Sequence, residues 1–170
     1  IKSSAASDVY KRQVYEQYFQ EIDKVKGQKG VLSVEKKLFV ETNNGTNRQI
    51  RPVTPEQPLR IGDKVIVRLT IRTDREMNYV FLKDLRAGCF EPADQLSSPE
   101  SRDGIWYYRS PKDVSENFFI NRLPEGTFVL EYPVYVSRSG EYAGGISTIQ
   151  CMYAPEFVSH TAGESLRIMP

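Results

Sequence analysis

The residue types that could perform acid–base chemistry are few in this sequence. His160 is the single histidine, and Glu91 and Glu156 are carboxylates that stand next to prolines. A general base must lie within hydrogen-bond reach of its partners, and the Ser/Thr/Gly loop around His160 has no orienting carboxylate close by in sequence. We therefore expect a histidine that makes local loop contacts and two surface carboxylates. An enzyme would require His160, Glu156 and Glu91 to meet in one pocket.

Motifs for nucleophilic catalysis and for metal binding are equally scarce in the sequence. The sequence contains no G-x-S-x-G elbow, no phosphate-binding glycine loop and no H-E-x-x-H helix. In an exported protein Cys89 and Cys151 could form a disulfide, but they can equally be two small buried hydrophobes, which is the interpretation that we favour. One histidine and two distant cysteines do not indicate a zinc site. We predict no catalytic residue, no cofactor and no metal.

One group of aromatic residues could bind a ligand. Trp106, Tyr107 and Tyr108 are consecutive, and Tyr79 and Phe81 are counted with them as one aromatic cluster. Because alternate residues of a strand point to the same face, Trp106 and Tyr108 would share a side. Exposed in a shallow groove, they would form a stacking platform for a carbohydrate or another surface. Packed inside, they would be core and cross-strand contacts. We favour the packed arrangement and keep the binding face of Trp106 and Tyr108 as the alternative.

Composition narrows the class of protein. The chain has 170 residues, of which 39% are hydrophobic and 26% charged, which is typical of a soluble globular domain. Its 23 basic and 22 acidic residues give a net charge of +1 without long runs of one sign, so no nucleic-acid partner is predicted. No stretch approaches about eighteen consecutive apolar residues, so we predict no membrane insertion by this chain.

The elements that must position these side chains have the pattern of short β-strands. Strands are predicted in "VLSVEKKLFVE", "NYVFLKDLRAGCF", "GIWYYRS" and "SENFFINRL". Two further strands alternate strictly, and their buried faces are predicted to consist of Val65, Val67, Leu69, Ile71, Phe128, Leu130, Tyr132, Val134 and Val136. Many short strands without a long helix between them predict an all-β fold, an immunoglobulin-like antiparallel β-sandwich.

Glycine and proline set further expectations for the second half of the chain. Ser139-Gly140 predicts a hairpin turn that leads back into a strand over 146–153. Pro133 has no N–H group to donate to a ladder, so its strand should lie at a sheet edge or carry a bulge. Gly144-Gly145 predicts a second irregularity in the backbone.

The first thirty residues form a short extension. Residues 1–13 are small and polar without periodicity, which predicts a disordered lead; they also resemble a peptide translated from sequencing adapters, so we give them no functional weight. Residues 14–30 combine apolar spacing from Val14 to Ile22, which fits a helix or a strand, with a Lys/Gly-rich linker. We interpret them as the end of a preceding domain, and 31–170 as one β-sandwich domain.

Three separate stretches resemble one family in the family's own order. They are "DREMNYVFLKDLRAGCFEP", "DGIWYYRSPKDVSENFFINRLPEGTFVLEYPVYVSRSGEY" and "GGISTIQCMYAPEF". Together they resemble the C-terminal macroglobulin-like domain of bacterial alpha-2-macroglobulin family proteins, particularly the Bacteroidetes-type branch. By this resemblance the Met-Tyr-x-Pro-Glu segment is a structural feature and not a reactive site, and the landmark residues are Met152, Tyr153, Pro155, Glu156, Gly126 and Tyr132.

The resemblance implies a domain at the end of a large exported protein, located in the periplasm or cell envelope and anchored as a lipoprotein through an upstream segment. Such proteins inhibit proteases by changing shape around them, so the implied partners are the other domains of the parent chain and, through the full-length protein, proteases. The family's thioester needs a Cys and a Gln separated by two residues, and neither Cys89 nor Cys151 has that Gln. The expected role is a non-catalytic domain that packs against its neighbours and moves with them.

Overall fold

The computed structural model describes residues 30–170, and within this range the chain forms β-strands and their connections with no α-helix. No helix that is long and apolar enough to cross a bilayer occurs among the described residues. The expectations for 1–13 and for 14–29 lie outside the described residues and stay predictions.

The described chain contains fourteen strands. In chain order they are β1 (Leu32–Asn44), β2 (Asn47–Pro52), β3 (Leu59–Arg60), β4 (Lys64–Thr73), β5 (Met77–Leu85), β6 (Phe90–Pro92), β7 (Ser98–Arg102), β8 (Ile105–Pro111), β9 (Ser115–Leu123), β10 (Gly126–Val136), β11 (Gly140–Ala143), β12 (Ser147–Cys151), β13 (Ala154–His160) and β14 (Ser165–Met169).

These strands form two large antiparallel sheets and one small sheet. The five-stranded sheet has the order β2-β1-β4-β10-β6, and the six-stranded sheet has the order β13-β12-β5-β9-β8-β7. A three-stranded sheet, β11-β14-β3, contains a parallel pair between β14 and β3. The predicted all-β, immunoglobulin-like sandwich is confirmed.

Alternation in the sequence corresponds closely to burial in the structure. The predicted inward residues of β4 and β10 all lie in the core, with at most 9% of their surface exposed. They join inward residues of the six-stranded sheet, such as Leu82, Phe118 and Ile149, in one hydrophobic cluster. Each Å² of non-polar surface removed from water contributes about 25 cal/mol to the free energy of folding. Burial of this shared core is therefore the main contribution that holds the two sheets together.

The predicted hairpin at Ser139-Gly140 is wrong. β10 lies between β4 and β6 in the five-stranded sheet, whereas β12 lies between β13 and β5 in the six-stranded sheet. The chain after Gly140 first forms β11, which pairs with β14, and only then enters β12. Because β4 and β6 pair with the two edges of β10, β12 cannot pair with it. The alternating pattern of β10 predicts which of its faces is buried, but it does not predict which strands are its neighbours.

Pro133 lies in an interior strand, and its ladder with β4 continues without a register shift. Its carbonyl oxygen accepts a hydrogen bond from Ala93 N on the β6 side, so the N–H that proline lacks would point to that side as well. β6 pairs with β10 only from Val134 to Val136. The expectation that this strand lies at a sheet edge or carries a bulge at Pro133 is therefore wrong. The proline is tolerated because it lies just beyond the end of a very short neighbour, on the side where its missing N–H would point.

The predicted irregularity at Gly144-Gly145 separates β11 from β12. Gly145 has a φ of 71°, and a Cβ built on it would lie 2.2 Å from the Leu85 carbonyl oxygen. Only glycine fits this backbone conformation and this approach. The close contact brings the start of β12 against the end of β5.

A buried carboxylate joins the two large sheets. Asp84 on β5 has no exposed surface; its Oδ1 accepts hydrogen bonds from Lys36 Nζ at 2.8 Å and from Ser147 Oγ at 2.6 Å. Its Oδ2 accepts a hydrogen bond from the hydroxyl of Tyr132 on β10. Lys36 and Tyr132 belong to the five-stranded sheet, and Asp84 and Ser147 to the six-stranded sheet. We call these four residues the inter-sheet clamp.

The clamp leaves its charged groups well satisfied. Lys36 Nζ also donates to the carbonyl oxygens of Leu85 at 3.1 Å and Gly144 at 3.3 Å. Burial and the charge of Asp84 raise the pKa of Tyr132 well above its ordinary value, so its hydroxyl stays a donor. Because charge-assisted bonds in a low-dielectric interior are strong and an unpaired buried charge is costly, the clamp favours one relative position of the two sheets.

Replacing Lys36 by methionine should destabilise the domain by about 3–5 kcal/mol, because it leaves the buried carboxylate without its counter-charge. The double variant Lys36→Met/Asp84→Asn should recover a large part of that loss, since no buried charge then stays unpaired. Urea denaturation gives the three free energies of unfolding. Lys83→Met on the exposed face of β5 is the matched control and should change stability by about 0.5 kcal/mol or less. A double variant less stable than Lys36→Met would contradict the clamp.

Candidate functional site

The residues that sequence analysis considered for acid–base chemistry lie apart. His160 ends β13, where its Nδ1 donates to the Thr161 carbonyl oxygen at 3.0 Å, and it lines a cleft with Lys36 and Glu164. Glu156 is exposed near the other end of β13, and Glu91 is exposed on β6 in the opposite sheet. Neither carboxylate is among the residues that line the cleft of His160, so these three side chains form no common pocket.

The two cysteines are also separated. Cys151 ends β12 opposite Val80, and Cys89 lies beyond the far end of β5; both thiols are buried and free, so the structure has no disulfide between them. Burial raises the pKa of Cys89 to about 11, which keeps it protonated and unreactive at neutral pH. Among the described residues no three His, Cys, Asp or Glu side chains cluster as metal ligands.

The landmark residues occupy four places. Met152 and Tyr153 form the turn between β12 and β13 and are 57% and 80% exposed. Pro155 and Glu156 follow as exposed residues of β13. Gly126 begins β10 with a φ of 137°, and Tyr132 belongs to the inter-sheet clamp. Their spread over a turn, an edge strand, the start of β10 and the core gives no shared reactive centre.

Trp106 and Tyr108 are exposed, so the favoured expectation that they pack inside is wrong. Trp106 is 72% and Tyr108 46% exposed, while Tyr107 between them is buried. The predicted alternation is correct, but the face that carries Trp106 and Tyr108 is the outer one. Tyr107 enters the core and donates to Glu100 Oε2 at 3.0 Å, which leaves Trp106 and Tyr108 on the outer side of the six-stranded sheet.

Four more aromatic residues accompany them on the outside of the same sheet. Phe81 and Phe119 are cross-strand partners whose rings stack at 4.9 Å, and Tyr108 is the partner of Phe119 on the next strand. Near the start of β5, Tyr79 has a φ of 56°. The centroid of its ring lies 5.0 Å from that of Tyr153, in an edge-to-face arrangement. The term "aromatic face" denotes the set Tyr79, Phe81, Trp106, Tyr108, Phe119 and Tyr153.

The centre of the aromatic face is uncharged. One continuous cross-strand row runs through Gln150, Phe81, Phe119, Tyr108 and Pro99. Five strands thus present apolar rings, an amide and a proline to the outside without a charged side chain in that row. Adjacent exposed apolar residues of this kind mark interaction sites on otherwise soluble domains.

The outer side of the five-stranded sheet is charged instead. Lys37, Arg68 and Glu131 form one cross-strand row, in which Arg68 Nε lies 2.9 Å from Glu131 Oε1. Nearby, Lys64 and Glu41 are 3.0 Å apart, and the Lys64 hydrogen bond, together with the weaker one from Arg48, lowers the pKa of Glu41 despite its burial. The two outer surfaces of the sandwich therefore differ in chemistry.

A buried ion network lies beneath the aromatic face. Glu116 on β9 has no exposed surface; its Oε1 accepts from Arg109 Nε at 2.5 Å and its Oε2 from Arg86 Nη2 at 3.1 Å. Burial raises the pKa of Glu116, and the two arginines only partly offset that effect. Arg86 Nη1 also donates to the carbonyl oxygens of Lys112 and Asp113, both at 2.8 Å. These contacts fix β8 and β9, the strands that carry Trp106, Tyr108 and Phe119.

A family model and the similar solved structures agree on one kind of domain. The family model described as "Bacterial Alpha-2-macroglobulin MG10 domain" matches residues 32–156. Salmonella alpha-2-macroglobulin reacted with methylamine superposes with a TM-score of 0.65 at 21% identity, over 85% of this chain and 10% of that chain. Escherichia coli alpha-2-macroglobulin activated by porcine elastase gives a TM-score of 0.66 at 18% identity, over 85% and 14%.

Two further similarities show what share of each relative's length this chain covers. Native Escherichia coli alpha-2-macroglobulin from domain MG7 to the C-terminus has a TM-score of 0.65 at 18% identity, over 85% of this chain and 24% of that chain. Circularly permutated Ras protein 2 of Dictyostelium discoideum is 28% identical over 109 residues, which are 64% of this chain and 3% of that protein. The chain thus spans a small part of each relative.

Cys89 should resist alkylation in the folded protein. With a pKa of about 11, its thiolate fraction at pH 8 is about 100-fold or more below that of a free cysteine with a pKa of about 8.5. Iodoacetamide labelling followed by mass spectrometry of the Cys89 peptide measures the rate, and the same reaction in denaturant is the control. A native rate within about threefold of the denatured rate would contradict the buried, protonated thiol.

Proposed function

This chain belongs to the bacterial alpha-2-macroglobulin MG10 domain family, and from this premise we propose that it is a non-catalytic domain that packs against neighbouring domains of its parent protein through the aromatic face. It is a domain of an alpha-2-macroglobulin-like protein. The proposal adds the surface that carries the packing and the role of moving as one unit when the parent changes shape.

The observation that carries the proposal is the exposure of the aromatic face. Five of its six members are 39% to 80% exposed, although full burial of a large apolar side chain is worth about 1.5–3 kcal/mol. Tyrosine and tryptophan are also the residues that most often dominate the energy of protein interfaces. A neighbouring domain that covers this face would recover the burial that the isolated domain lacks.

The interior supports movement as a rigid unit. Buried charged contacts resist displacement, because shifting their partners apart would leave a charge unpaired in the interior. The inter-sheet clamp joins the two sheets, and the Glu116 network fixes the strands under the aromatic face. Force applied by a neighbour at the aromatic face would thus displace the whole sandwich.

The remaining parts of the proposal concern the parent protein. We place it in the periplasm or cell envelope, anchored as a lipoprotein through a segment outside this chain, with proteases as partners of the full-length protein. The resemblance to the family supports these points. Neither Cys89 nor Cys151 has a Gln three positions later, so this chain supplies no thioester of the family's kind.

A carbohydrate-binding module is the second candidate, and the exposure of Trp106 and Tyr108 on one side favours it. The arrangement of the neighbouring rings favours a protein partner instead. Phe81 and Phe119 stack on each other with an interplanar angle of 28°, so each ring occupies a face that a sugar would need. Binding of soluble oligosaccharides or peptidoglycan fragments by the isolated chain separates the two candidates.

The isolated chain should not inhibit proteases. An assay with trypsin and a protein substrate should give the same rate with and without a molar excess of this chain, because trapping requires the rest of the parent protein. Bovine serum albumin at equal mass is the control for competition as a substrate. A stoichiometric loss of trypsin activity would contradict the non-catalytic, non-inhibitory role of this domain.

Removing Trp106 and Tyr108 should weaken docking. The Trp106→Ala/Tyr108→Ala variant should bind the parent protein lacking this domain about 30-fold or more weakly than the unchanged chain, since truncating two central aromatics costs upwards of 2 kcal/mol. Isothermal titration calorimetry measures the affinity. Tyr135→Ala is the matched control, because Tyr135 is 44% exposed on the opposite, charged side; it should change the affinity by about twofold or less.

The same variants distinguish the outcomes. All three substitutions remove exposed side chains, so circular dichroism and thermal unfolding should match the unchanged chain. Equal losses for Tyr135→Ala and the double variant would refute the aromatic face as the docking surface. Loss of oligosaccharide binding in the double variant, with docking unchanged, would establish the carbohydrate module instead.

A further inference from the structure

Among residues 30–170, the two edges of strand β1 have neighbouring strands over different lengths. β4 pairs with it from Leu32 to Glu41 on one side, whereas β2 pairs with it only from Phe39 to Asn44 on the other. Within residues 30–170, no strand covers that second edge between Leu32 and Leu38. Uncovered edges present main-chain donors and acceptors that a further strand can use.

The direction of the main-chain groups identifies which of them face the open edge. Val31 O accepts from Asp74 N on the β4 side, and Leu38 O accepts from Val53 N on the other side. Because the groups of successive residues alternate between the two sides of a strand, those of Val34 and Lys36 point away from β4. Their main-chain N–H and C=O groups have no main-chain partner in the described part of the chain.

Space for another segment lies along this edge. Two adjoining clefts, of about 350 and 980 Å³, share Lys36, Lys37, Leu38, Glu164 and Leu166 as lining residues. The wall opposite β1 in the smaller cleft includes Gly144, Gly145 and Ala162, which have little or no side chain. The open edge therefore borders a groove that is not filled by side chains from the facing loop.

The groove suits an extended peptide better than a polyanion. Leu38, Val53 and Leu166 provide apolar contacts in the wider cleft. Its charged residues include both signs, with Lys37 and Arg167 balanced by Glu141 and Glu164. A surface with unpaired main-chain groups, apolar contacts and balanced charge matches recognition by strand addition, in which the main chain provides affinity and alternate side chains provide specificity.

We propose that the edge of β1 from Val34 to Lys36 binds an extended segment of another polypeptide as an added antiparallel strand. The added strand occupies the next position along the edge that β2 already uses, and it pairs with the main-chain groups of Val34 and Lys36. Its inward side chain is apolar and contacts Leu38 and Leu166. This site is separate from the aromatic face and does not depend on the proposed docking through that face.

The test uses the full chain and a synthetic probe. The probe is an acetylated and amidated peptide that copies Val67–Thr73, which pairs with Leu32–Leu38 on the other edge of β1. Hydrogen exchange followed by NMR should show about tenfold or slower exchange of the Val34 and Lys36 amides at saturating peptide, because each gains a hydrogen bond. The Lys37 amide, which faces β4, should not change.

Two controls separate strand addition from other binding. The same peptide N-methylated at alternate residues on its pairing edge should bind about tenfold or more weakly, since its side chains are kept and its donors are lost. Ala162→Trp should weaken binding by obstructing the cleft, whereas Ala143→Trp, at an exposed alanine outside both clefts, should not.

Three results would overturn the proposal. The first is equal affinity for the methylated and unmethylated peptides, or no binding of either. The second is protection of amides elsewhere without Val34 and Lys36. The third is slow exchange of the Val34 and Lys36 amides in the chain without peptide. If that protection does not depend on protein concentration, the edge is occupied by residues 1–29. If the protection increases with protein concentration, the edge is occupied by a second copy of the chain.

Discussion

The burial of one carboxylate is the constraint on which the arrangement of this sandwich depends. Asp84 lies between two sheets with no access to water, and an ion in such a place is tolerated only when its partners stay at hydrogen-bond distance. Those partners come from three strands, with Lys36 on β1, Tyr132 on β10 and Ser147 on β12, while Asp84 itself lies on β5. The packed core also holds the sheets together, but hydrogen bonds to a buried charge are directional and therefore specify the relative position of the sheets more narrowly.

The sequence predicts strands and burial well because both follow from local alternation. β4 and β10 alternate strictly, and every inward residue expected there is buried. Neighbours in a sheet depend on contacts distant in sequence, so the turn residues Ser139-Gly140 suggested a hairpin that β10 cannot form between β4 and β6. Alternation also leaves undecided which face is inside, and for this reason the sequence alone does not show that Trp106 and Tyr108 lie on the outer face.

The sequence contains only weak indications of the inter-sheet clamp and of the aromatic face. Asp84 follows Val80 and Leu82 at the inward spacing of β5, and Lys36 follows Leu32 and Val34 at the inward spacing of β1. A charged residue at an inward position indicates a buried pair, although the sequence alone cannot show which two such residues meet. For the aromatic face, the signal was Phe81 and Phe119 at outward positions, but their proximity appears only when β5 pairs with β9.

Lys36 connects the interior of the domain with its open edge. Its ammonium group belongs to the clamp, while its main chain faces the groove beside β1. Because Lys36 Nζ also donates hydrogen bonds to the carbonyl oxygens of Leu85 and Gly144, this part of β1 is tied to the six-stranded sheet, although no strand of residues 30–170 covers that edge. An edge fixed in this way needs no ordering before it pairs, so the added strand that we propose would lose less conformational entropy there than on a mobile edge. The buried charge that sets the position of the sheets would thus also hold this edge in place for strand addition.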